Sequence, residues 1–225
     1  MPDGIETEAR ERMDVRLVYR AADMDATAPV IFLVGEREES IEVYARTVKK
    51  SGWKCALAAV PVEDWNRQLS PWAAPAVFRG GDDFAGEADA FLDELAERIP
   101  GALAQAGGGV ACICGYSLAG LFALYAATKL RFDRVAALSP SVWYEGFADY
   151  FAQHLPPDGT KVYLSLGRKE EKTGNTRLRS VGENLRTVQA LLGEGTPLVM
   201  HNGGHYTDVE KRVLAALEWL VNIQA

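Results

Sequence analysis

The chain has 225 residues, which is enough for one domain whose core needs neither disulfides nor a metal to hold it. Hydrophobic residues make up 48% and charged residues 24% of the chain, and the formal net charge is −7, as in an ordinary globular protein. Because no block of basic residues stands out, nucleic acid and anionic membranes are poor partner candidates. We expect a small-molecule partner and leave a homodimer open.

Residues 1–14 are polar, and we expect them to form a loose N-terminal segment of a single domain spanning residues 1–225. They lack the apolar run of a signal peptide, and no stretch of about 18 apolar residues occurs in the sequence. We therefore expect a cytoplasmic protein. Cys55, Cys112 and Cys114 lie in or beside apolar runs, which predicts reduced core thiols and not a disulfide or metal site.

Apolar patterning in the first part of the chain predicts strands separated by a helix. Residues 14–20 alternate apolar and polar side chains, as in a half-buried or edge strand. The continuous apolar runs over 29–35 and 54–60 are typical of parallel strands covered on both faces. Residues 40–51 between them have helical spacing, and Gly52 is a good helix stop.

Residues 61–84 form a long irregular stretch with three prolines and two tryptophans. A connection of this length is either functional or a surface flap whose tryptophans fill gaps over the sheet, and its length does not decide between the two. Helical spacing follows over residues 85–106, where Pro100 should end or kink the helix.

The second half of the chain continues the alternation of strands and helices. We expect strands at 132–138, 161–166 and 196–200, and helices at 146–155, 176–192 and 207–223, the last capped by Thr207 or Asp208. This order predicts an α/β fold with a mainly parallel central sheet and helices on both faces. Ligands of such sheets bind where loops meet at the carboxyl ends of the strands.

The most informative stretch runs from Val110 to Ala127, where a buried strand, a sharp turn and an alanine- and leucine-rich helix follow one another. The turn, Gly115-Tyr116-Ser117-Leu118-Ala119, matches the G-x-S-x-G nucleophile elbow except that Ala119 replaces the second glycine. The elbow needs small flanking residues, since its serine sits in strained backbone where strand and helix crowd together. Ser117 is therefore the candidate nucleophile, and a serine that merely caps a helix is the alternative.

A serine nucleophile needs a base within hydrogen-bond reach, and the chain offers three histidines. His154 lies on a predicted helix and His201 abuts the last strand, where it could be buried. His205 lies in a glycine-flanked loop after that strand, which is where α/β hydrolases carry their histidine. We therefore predict His205 as the base, with His201 as its rival.

The acid of such a triad should follow the strand over 161–166. Glu170 lies three residues beyond Gly167, Glu171 is its rival, and a merely solvated loop would leave a Ser117–His205 dyad. The oxyanion donors would be the N–H of Leu118 and that of Gly35 or Glu36.

Candidate substrate contacts come from the same loops and from the elbow itself. They comprise Tyr116 beside the nucleophile, the loop arginine Arg67, which could meet a carboxylate or be merely solvated, and the tryptophans Trp65, Trp72 and Trp143. Tryptophans lining a cleft would favour an apolar or aromatic group of the substrate.

The segments GYSLAGLFALYA, SPSVWY, GRKE and GGHY together resemble the esterase D type of α/β hydrolase, a group that includes the ferric-enterochelin esterases and S-formylglutathione hydrolase. The resemblance covers residues 30–220, and residues 67–71 are similar to a longer element of the enterochelin-esterase branch. The sequence departs from the pattern at Ala119, where glycine is usual, and at Glu170, where many hydrolases carry Asp.

This resemblance implies an α/β-hydrolase fold with a minimal lid. It also implies hydrolysis of carboxylic esters through a Ser-His-acid triad and an acyl-enzyme, with no metal and no cofactor. The substrates would be siderophore-type or small acyl esters. A thioesterase, or a non-catalytic binding protein of the same fold, is the alternative.

Overall fold

A computed structural model of the chain describes residues 13–223. The expectation of a loose segment over 1–14 lies outside these residues, except for Met13 and Asp14, which precede the first strand without regular structure.

The described residues contain nine strands and eight helices that alternate along most of the chain. The strands are β1 (Arg16–Arg20), β2 (Pro29–Val34), β3 (Ala56–Val60), β4 (Ala73–Ala74), β5 (Phe84–Ala85), β6 (Val110–Tyr116), β7 (Arg134–Leu138), β8 (Lys161–Gly167) and β9 (Leu198–His201). The helices are α1 (Glu38–Ser51), α2 (Trp65–Gln68), α3 (Ala88–Ala106), α4 (Leu118–Ala127), α5 (Phe147–Gln153), α6 (Thr176–Arg179), α7 (Val181–Leu192) and α8 (Val209–Asn222).

Seven of the strands form one sheet in the order β1-β3-β2-β6-β7-β8-β9, and β4 pairs with β5 in a separate two-stranded ribbon. Within the large sheet only β1 is antiparallel, at the edge beside β3. Alternate residues of each parallel strand enter different cores. Val30, Phe32 and Val34 pack into one, whereas Ile31 and Leu33 pack into the other. The continuous apolar runs of the sequence follow from this burial on both faces.

Helices cover both faces of the sheet, as the predicted α/β-hydrolase fold requires. The core residues of α1 and α8 pack on one face, and those of α3, α4, α5 and α7 pack on the other. Between β7 and β8, all of which the structure describes, the chain forms only the short α5 and carries no large insertion. Within residues 13–223, no helix combines the length and apolar character needed to cross a membrane.

Three local predictions differ from the structure. Helix α3 continues through Pro100 to Ala106, because buried side chains before and after the proline hold both halves against the sheet. The helix expected over 176–192 is two helices, and the Asn175 side chain caps the first by accepting from the backbone N–H groups of Arg177 and Leu178. At the start of α8, Asp208 makes no capping hydrogen bond and has a φ of 53°.

Thr207, the other candidate cap of α8, is used elsewhere. Its hydroxyl accepts from the N–H of Gly204 at 3.1 Å, so that it closes the preceding loop instead of starting the helix.

The three cysteines are free and buried, as predicted. Burial raises the pKa of the Cys55 thiol to about 12, so this sulfur stays protonated and unreactive at neutral pH.

The turn between β6 and α4 has the strained geometry of a nucleophile elbow. Ser117 has φ 59° and ψ −121°, a conformation that a non-glycine residue adopts only when its surroundings hold it. Three hydrogen bonds do so: the Ser117 N–H donates to the Leu138 carbonyl, and the Ser117 carbonyl accepts from the N–H groups of Leu121 and Ser141. The strained backbone is therefore held by the carboxyl end of β7, the loop that follows it and the first turn of α4.

The crowding beneath the elbow explains why its flanking residues are small. A Cβ atom on residue 115 would lie 2.2 Å from the Ala119 carbonyl oxygen, and one on residue 120 would lie 3.0 Å from the Gly115 carbonyl oxygen. Ala119 itself is completely buried. An alanine therefore fits at 119, while residue 115 has no room for any side chain.

Gly115→Ala should deform this turn, because its Cβ would collide with backbone atoms that cannot rotate away. We expect the free energy of unfolding to fall by about 1–3 kcal/mol or more, as measured by chemical denaturation. The control is Gly101→Ala in α3, where an added Cβ meets no atom within 4 Å and should stabilise the helix by up to about 1 kcal/mol. Equal stabilities of the two variants would contradict this account of the elbow.

Candidate active site

Parallel pairing brings the carboxyl ends of the strands to one edge of the sheet. Tyr116 lies opposite Leu138, Leu138 opposite Ser165, and Gly167 opposite His201. The residues that follow these strands therefore emerge side by side. In this way Ser117 and His205, which lie 88 positions apart in the sequence, come within hydrogen-bond distance.

Ser117, His205 and Glu170 form a continuous hydrogen-bonded chain. The Ser117 Oγ lies 2.9 Å from His205 Nε2, and His205 Nδ1 lies 2.7 Å from Glu170 Oε2. An ionised carboxylate can only accept, so the ring proton belongs on Nδ1, and Nε2 is left to accept from the serine hydroxyl. This is the tautomer that a general base beside a serine needs.

Glu170 is held by its second oxygen as well. Oε1 accepts from the Ser139 hydroxyl at 2.7 Å, from the Gly167 N–H at 2.7 Å and from Arg212 Nη1 at 3.2 Å. The side chain is only 5% exposed, and burial by itself would raise its pKa. The hydrogen bonds from His205 and Ser139 outweigh burial and lower the pKa of Glu170 below its ordinary value, so the carboxylate is ionised at neutral pH.

The rival residues lie in other environments. Glu171 Oε2 pairs with Arg186 Nη2 at 2.9 Å, and Glu171 makes no hydrogen bond or ion pair with a histidine among the described residues. His201 is half-buried on β9, and its Nε2 has no hydrogen-bond partner within residues 13–223. Burial, together with the nearby Arg212 charge, lowers the pKa of His201. His154 stacks on Tyr150 at the end of α5.

The backbone donors for an oxyanion differ in part from the prediction. Leu118 is the first residue of α4, so its N–H has no partner within the helix. Gly35 was predicted as the second donor, but its N–H already donates to the Val60 carbonyl at 2.9 Å. The N–H of Glu36 makes no backbone hydrogen bond in the described part of the chain, so it is the remaining candidate in this loop.

The side chain of Glu36 is held by helix α1 and is not part of the candidate oxyanion site, for which only its backbone N–H is a candidate. It accepts from the Tyr44 hydroxyl on α1 at 3.2 Å, and burial raises its pKa. The ring of Trp65 covers Gly35 so closely that a Cβ there would lie 2.8 Å from the indole. The loop after β2 is thus held between α1 and α2.

Two cavities meet at Ser117. One, of about 330 Å³, also contacts His205, Glu170, Val181 and Tyr206. The other, of about 280 Å³, lies on the side of Leu118 and Trp65. Both are lined by Phe78, Ser141, Trp143 and Leu178.

Aromatic rings stand exposed at the mouth of these cavities. Phe78 is 65% exposed and Tyr206 is 90% exposed, values that are high for large apolar rings. Phe78 belongs to the long segment before α3, and Trp65 and Val77 from the same segment line the second cavity. The irregular stretch over 61–84 therefore forms one wall of the cleft.

Of the predicted substrate contacts, Trp65 and Trp143 line the cleft, whereas the others do not. Arg67 lines a separate cavity of about 510 Å³ and lies 3.7 Å from Asp64 and 3.9 Å from Glu87. It is two residues beyond Trp65 on α2, and at 100° per residue such a pair points to different sides of a helix.

Tyr116 and Trp72 are used structurally. The Tyr116 hydroxyl donates to the His205 carbonyl at 2.5 Å, so it holds the histidine loop and does not line either cavity at Ser117. Trp72 donates from Nε1 to the Glu145 carbonyl at 3.0 Å and packs against Tyr144 and Tyr150. Of the two alternatives for residues 61–84, Trp72 therefore fits the gap-filling flap and Trp65 fits the functional loop.

Sequence reasoning assigned no role to Arg212 or Phe78, and it marked Ser139 only as part of the SPSVWY segment. Arg212 carried a readable signal, because it stands within the apolar stripe of α8 formed by Val209, Val213, Ala216 and Leu220. Nothing comparable marked Phe78. Within residues 13–223, no group of three or more His, Cys, Asp or Glu side chains could hold a metal ion.

Comparisons with known proteins identify the family and the fold. A model of the family described as "Putative esterase" matches residues 20–191. No curated protein matches the sequence.

Among solved structures, the siderophore hydrolase EstA from Aspergillus nidulans is similar with a TM-score of 0.68 at 18% identity, covering 100% of this chain and 99% of that one. EstB from the same organism has a TM-score of 0.67 at 16% identity, covering 98% and 97%. An IroE-like serine hydrolase from Shewanella oneidensis has a TM-score of 0.65 at 14% identity, covering 90% and 71%.

At these identities the structural likeness establishes the fold, and the family match adds the kind of chemistry. The match spans well over half of the chain. The protein therefore belongs to this family of esterases, and it is a carboxylic ester hydrolase with the α/β-hydrolase fold.

Proposed function

We propose that the protein hydrolyses carboxylic esters through a triad of Ser117, His205 and Glu170 and a covalent acyl-enzyme. The observation that carries this proposal is the hydrogen-bonded chain from Glu170 Oε2 through the imidazole to Ser117 Oγ. A carboxylate bonded to Nδ1 orients the imidazole and stabilises its charged form once the serine proton has moved to Nε2.

In the proposed reaction, Ser117 Oγ attacks the ester carbonyl while His205 Nε2 accepts the hydroxyl proton. The N–H groups of Leu118 and Glu36 stabilise the oxyanion. His205 then donates the proton to the departing alcohol, and water, activated by the same imidazole, releases the acid from Ser117.

The two cavities at Ser117 support an assignment of the two halves of the substrate. The leaving alcohol takes its proton from His205, so it belongs in the cavity that His205 and Tyr206 line. The acyl group belongs in the cavity beside Leu118 and Trp65, next to the proposed oxyanion donors. Both cavities contact Trp143 and Phe78, which favours apolar or aromatic groups on either side of the ester.

The names of the siderophore hydrolases with the same fold suggest which esters to test first. We therefore propose siderophore-type and small acyl esters as substrates. Thioesters belong in the same test, because a serine triad attacks either carbonyl.

Ser117 should be labelled covalently by a fluorophosphonate, since its hydroxyl is bonded to His205 and opens into both cavities. Intact mass and peptide mass spectrometry would locate the adduct. Wild type should then hydrolyse members of a panel of short acyl esters, siderophore-type lactones and thioesters, and Ser117→Ala should hydrolyse none. An unlabelled, inactive wild type would mean a non-catalytic protein of the same fold.

His205→Ala should lower the turnover number by about 10²–10⁴, the usual contribution of a general base. His201→Ala is the matched control, because His201 lies nearby on β9 and does not contact Ser117 or Glu170 by a hydrogen bond. Steady-state kinetics on the best ester of the panel would measure both variants. The roles would be reversed if His201→Ala were inactive and His205→Ala kept near-normal turnover.

Glu170→Gln should cut turnover by orders of magnitude, since the amide presents an NH₂ group where His205 Nδ1 needs an acceptor and so favours the wrong tautomer. The loss of turnover relative to wild type should be largest at pH values above the lowered pKa of Glu170, because there the wild-type carboxylate is ionised.

Glu171→Gln is the control for this substitution. It loses a pair with Arg186 that lies partly in solvent, so stability should change by no more than about 0.5 kcal/mol and turnover should stay near wild type. Thermal unfolding and steady-state rates of both variants would test this. If both glutamine variants were active, the protein would work with a Ser117–His205 dyad.

A further inference from the structure

Arg212 is a buried cation directly behind the candidate triad. It lies in the first turn of α8, and its side chain is only 1% exposed. A guanidinium is charged at every accessible pH, and removing it from water is costly unless hydrogen bonds and an opposite charge compensate. An arginine at this core position therefore requires hydrogen-bond partners and an opposite charge that offset the free-energy cost of its burial.

Those partners all belong to residues that hold the triad. The two hydrogens of Arg212 Nη1 are shared among three acceptors, the Tyr116 hydroxyl at 3.0 Å, the Ser139 hydroxyl at 3.0 Å and Glu170 Oε1 at 3.2 Å. Nη2 donates to the Gly204 carbonyl at 2.8 Å. One guanidinium thus contacts the ends of β6, β7 and β8 and the loop that follows β9.

Each contact lies next to a reacting group. Tyr116 precedes the nucleophile, and its hydroxyl passes the connection on by donating to the His205 carbonyl at 2.5 Å. Gly204 precedes His205 in the chain. Ser139 donates to the same Glu170 oxygen that Arg212 contacts. An arginine that only attached α8 to the sheet could bind any nearby acceptor, whereas Arg212 binds acceptors beside the three triad residues.

We propose that Arg212 is a positioning residue of the esterase, which holds Glu170 and the His205 loop in register with Ser117. This inference rests on the proposed triad. Arg212 occupies Glu170 Oε1 and so leaves Oε2 for the imidazole, while Nη2 and the Tyr116 hydroxyl hold the histidine loop at Gly204 and His205. Its fixed charge also favours the ionised form of the buried carboxylate.

Lysine cannot replace this geometry. Its ammonium carries the charge at one point, whereas the planar guanidinium reaches Glu170 with one nitrogen and the Gly204 carbonyl with the other. Arg212→Lys therefore separates geometry from charge, and Arg212→Met removes both.

The test is the rate at which a fluorophosphonate labels Ser117, measured between pH 5 and 9 on the full chain. This rate reports the activation of the serine without requiring the natural ester. Other titratable or charged groups around Glu170 and Arg212 are His205, Lys169, His201 on β9 and Tyr116 on β6. All of them are retained in both variants.

Arg212→Lys should label at least about tenfold more slowly than wild type, since small misplacements of reacting groups cost up to about 10²-fold. The acid limb of its pH–rate profile, where the labelling rate falls at low pH, should stay near that of wild type. Arg212→Met should label as slowly or more slowly. Because Arg212→Met removes the cation that faces the buried Glu170 carboxylate, protonation of that carboxylate becomes easier, and the acid limb of this variant should move towards higher pH.

Arg134→Lys is the matched control. Arg134 is also a buried arginine, and it donates to the Leu220 carbonyl on α8. It lies at the start of β7, however, at the amino ends of the strands and therefore far from the candidate triad at their carboxyl ends. We expect this variant to label at the wild-type rate with an unchanged acid limb. Thermal unfolding of all variants would show how much of any loss comes from stability.

Folded Arg212 variants that label at the wild-type rate and with the wild-type pH profile would overturn the proposal. The proposal would also be overturned if Arg134→Lys slowed the labelling of Ser117 as much as the Arg212 variants do and no variant shifted the acid limb of the pH–rate profile. If neither Arg212 variant folds, Tyr116→Phe decides, because it keeps the charge and breaks the link from Arg212 to the His205 carbonyl. We expect labelling slowed several-fold with an unchanged acid limb, and a wild-type rate would refute the positioning role.

A wild type that is not labelled at any pH would refute the proposed function, and the role of Arg212 with it. A labelled wild type with unaffected Arg212 variants would refute the role of Arg212 alone.

Discussion

The site depends on a single buried carboxylate whose two oxygens have different tasks. Oε2 of Glu170 faces His205, while Oε1 is taken up by Ser139, Gly167 and Arg212. Burial would favour the neutral acid, and hydrogen bonds reverse that preference. Because Oε1 is fully engaged, the carboxylate cannot rotate freely, and the imidazole that it holds is directed at Ser117.

The parallel sheet supplies the framework in which these groups meet. Ser117, Ser139, Glu170 and His205 follow four neighbouring strands. The first three come after β6, β7 and β8, which are paired on both sides, and His205 comes after the edge strand β9. Helix α8 adds the fifth element, since it inserts Arg212 from the opposite face of the sheet to the one that carries α4. The strained φ of Ser117 persists because this framework holds it in place.

The lining of the two cavities at Ser117 is built differently from the proposed triad. Trp65, Val77 and Phe78 come from the long segment between β3 and α3, and Leu178 and Tyr206 come from loops or a short helix elsewhere. Such segments change readily without disturbing the sheet. In the proposed function, the rigid strand ends therefore carry the chemistry, and the exposed aromatic rings at the mouth contact the ester.

Short-range constraints made part of this site readable from the sequence. The elbow was legible because strand, strained turn and helix are contiguous, and the crowding of Gly115 against Ala119 is a local steric demand. His205 and Glu170 could be picked out because strand order places the residues after successive strands at one edge, and the structure does bring them to Ser117. The fold class followed from the alternation of buried strands with helices.

Only the tertiary structure decided which atoms these groups meet. The N–H of Gly35 is lost to Val60 on a neighbouring strand, Tyr116 turns inward to the His205 carbonyl, and Arg67 lies away from the cleft. Arg212 reaches Glu170 from 42 positions further along the chain. These outcomes depend on contacts between segments far apart in sequence, and a local pattern carries no record of which donor finds which acceptor across the fold.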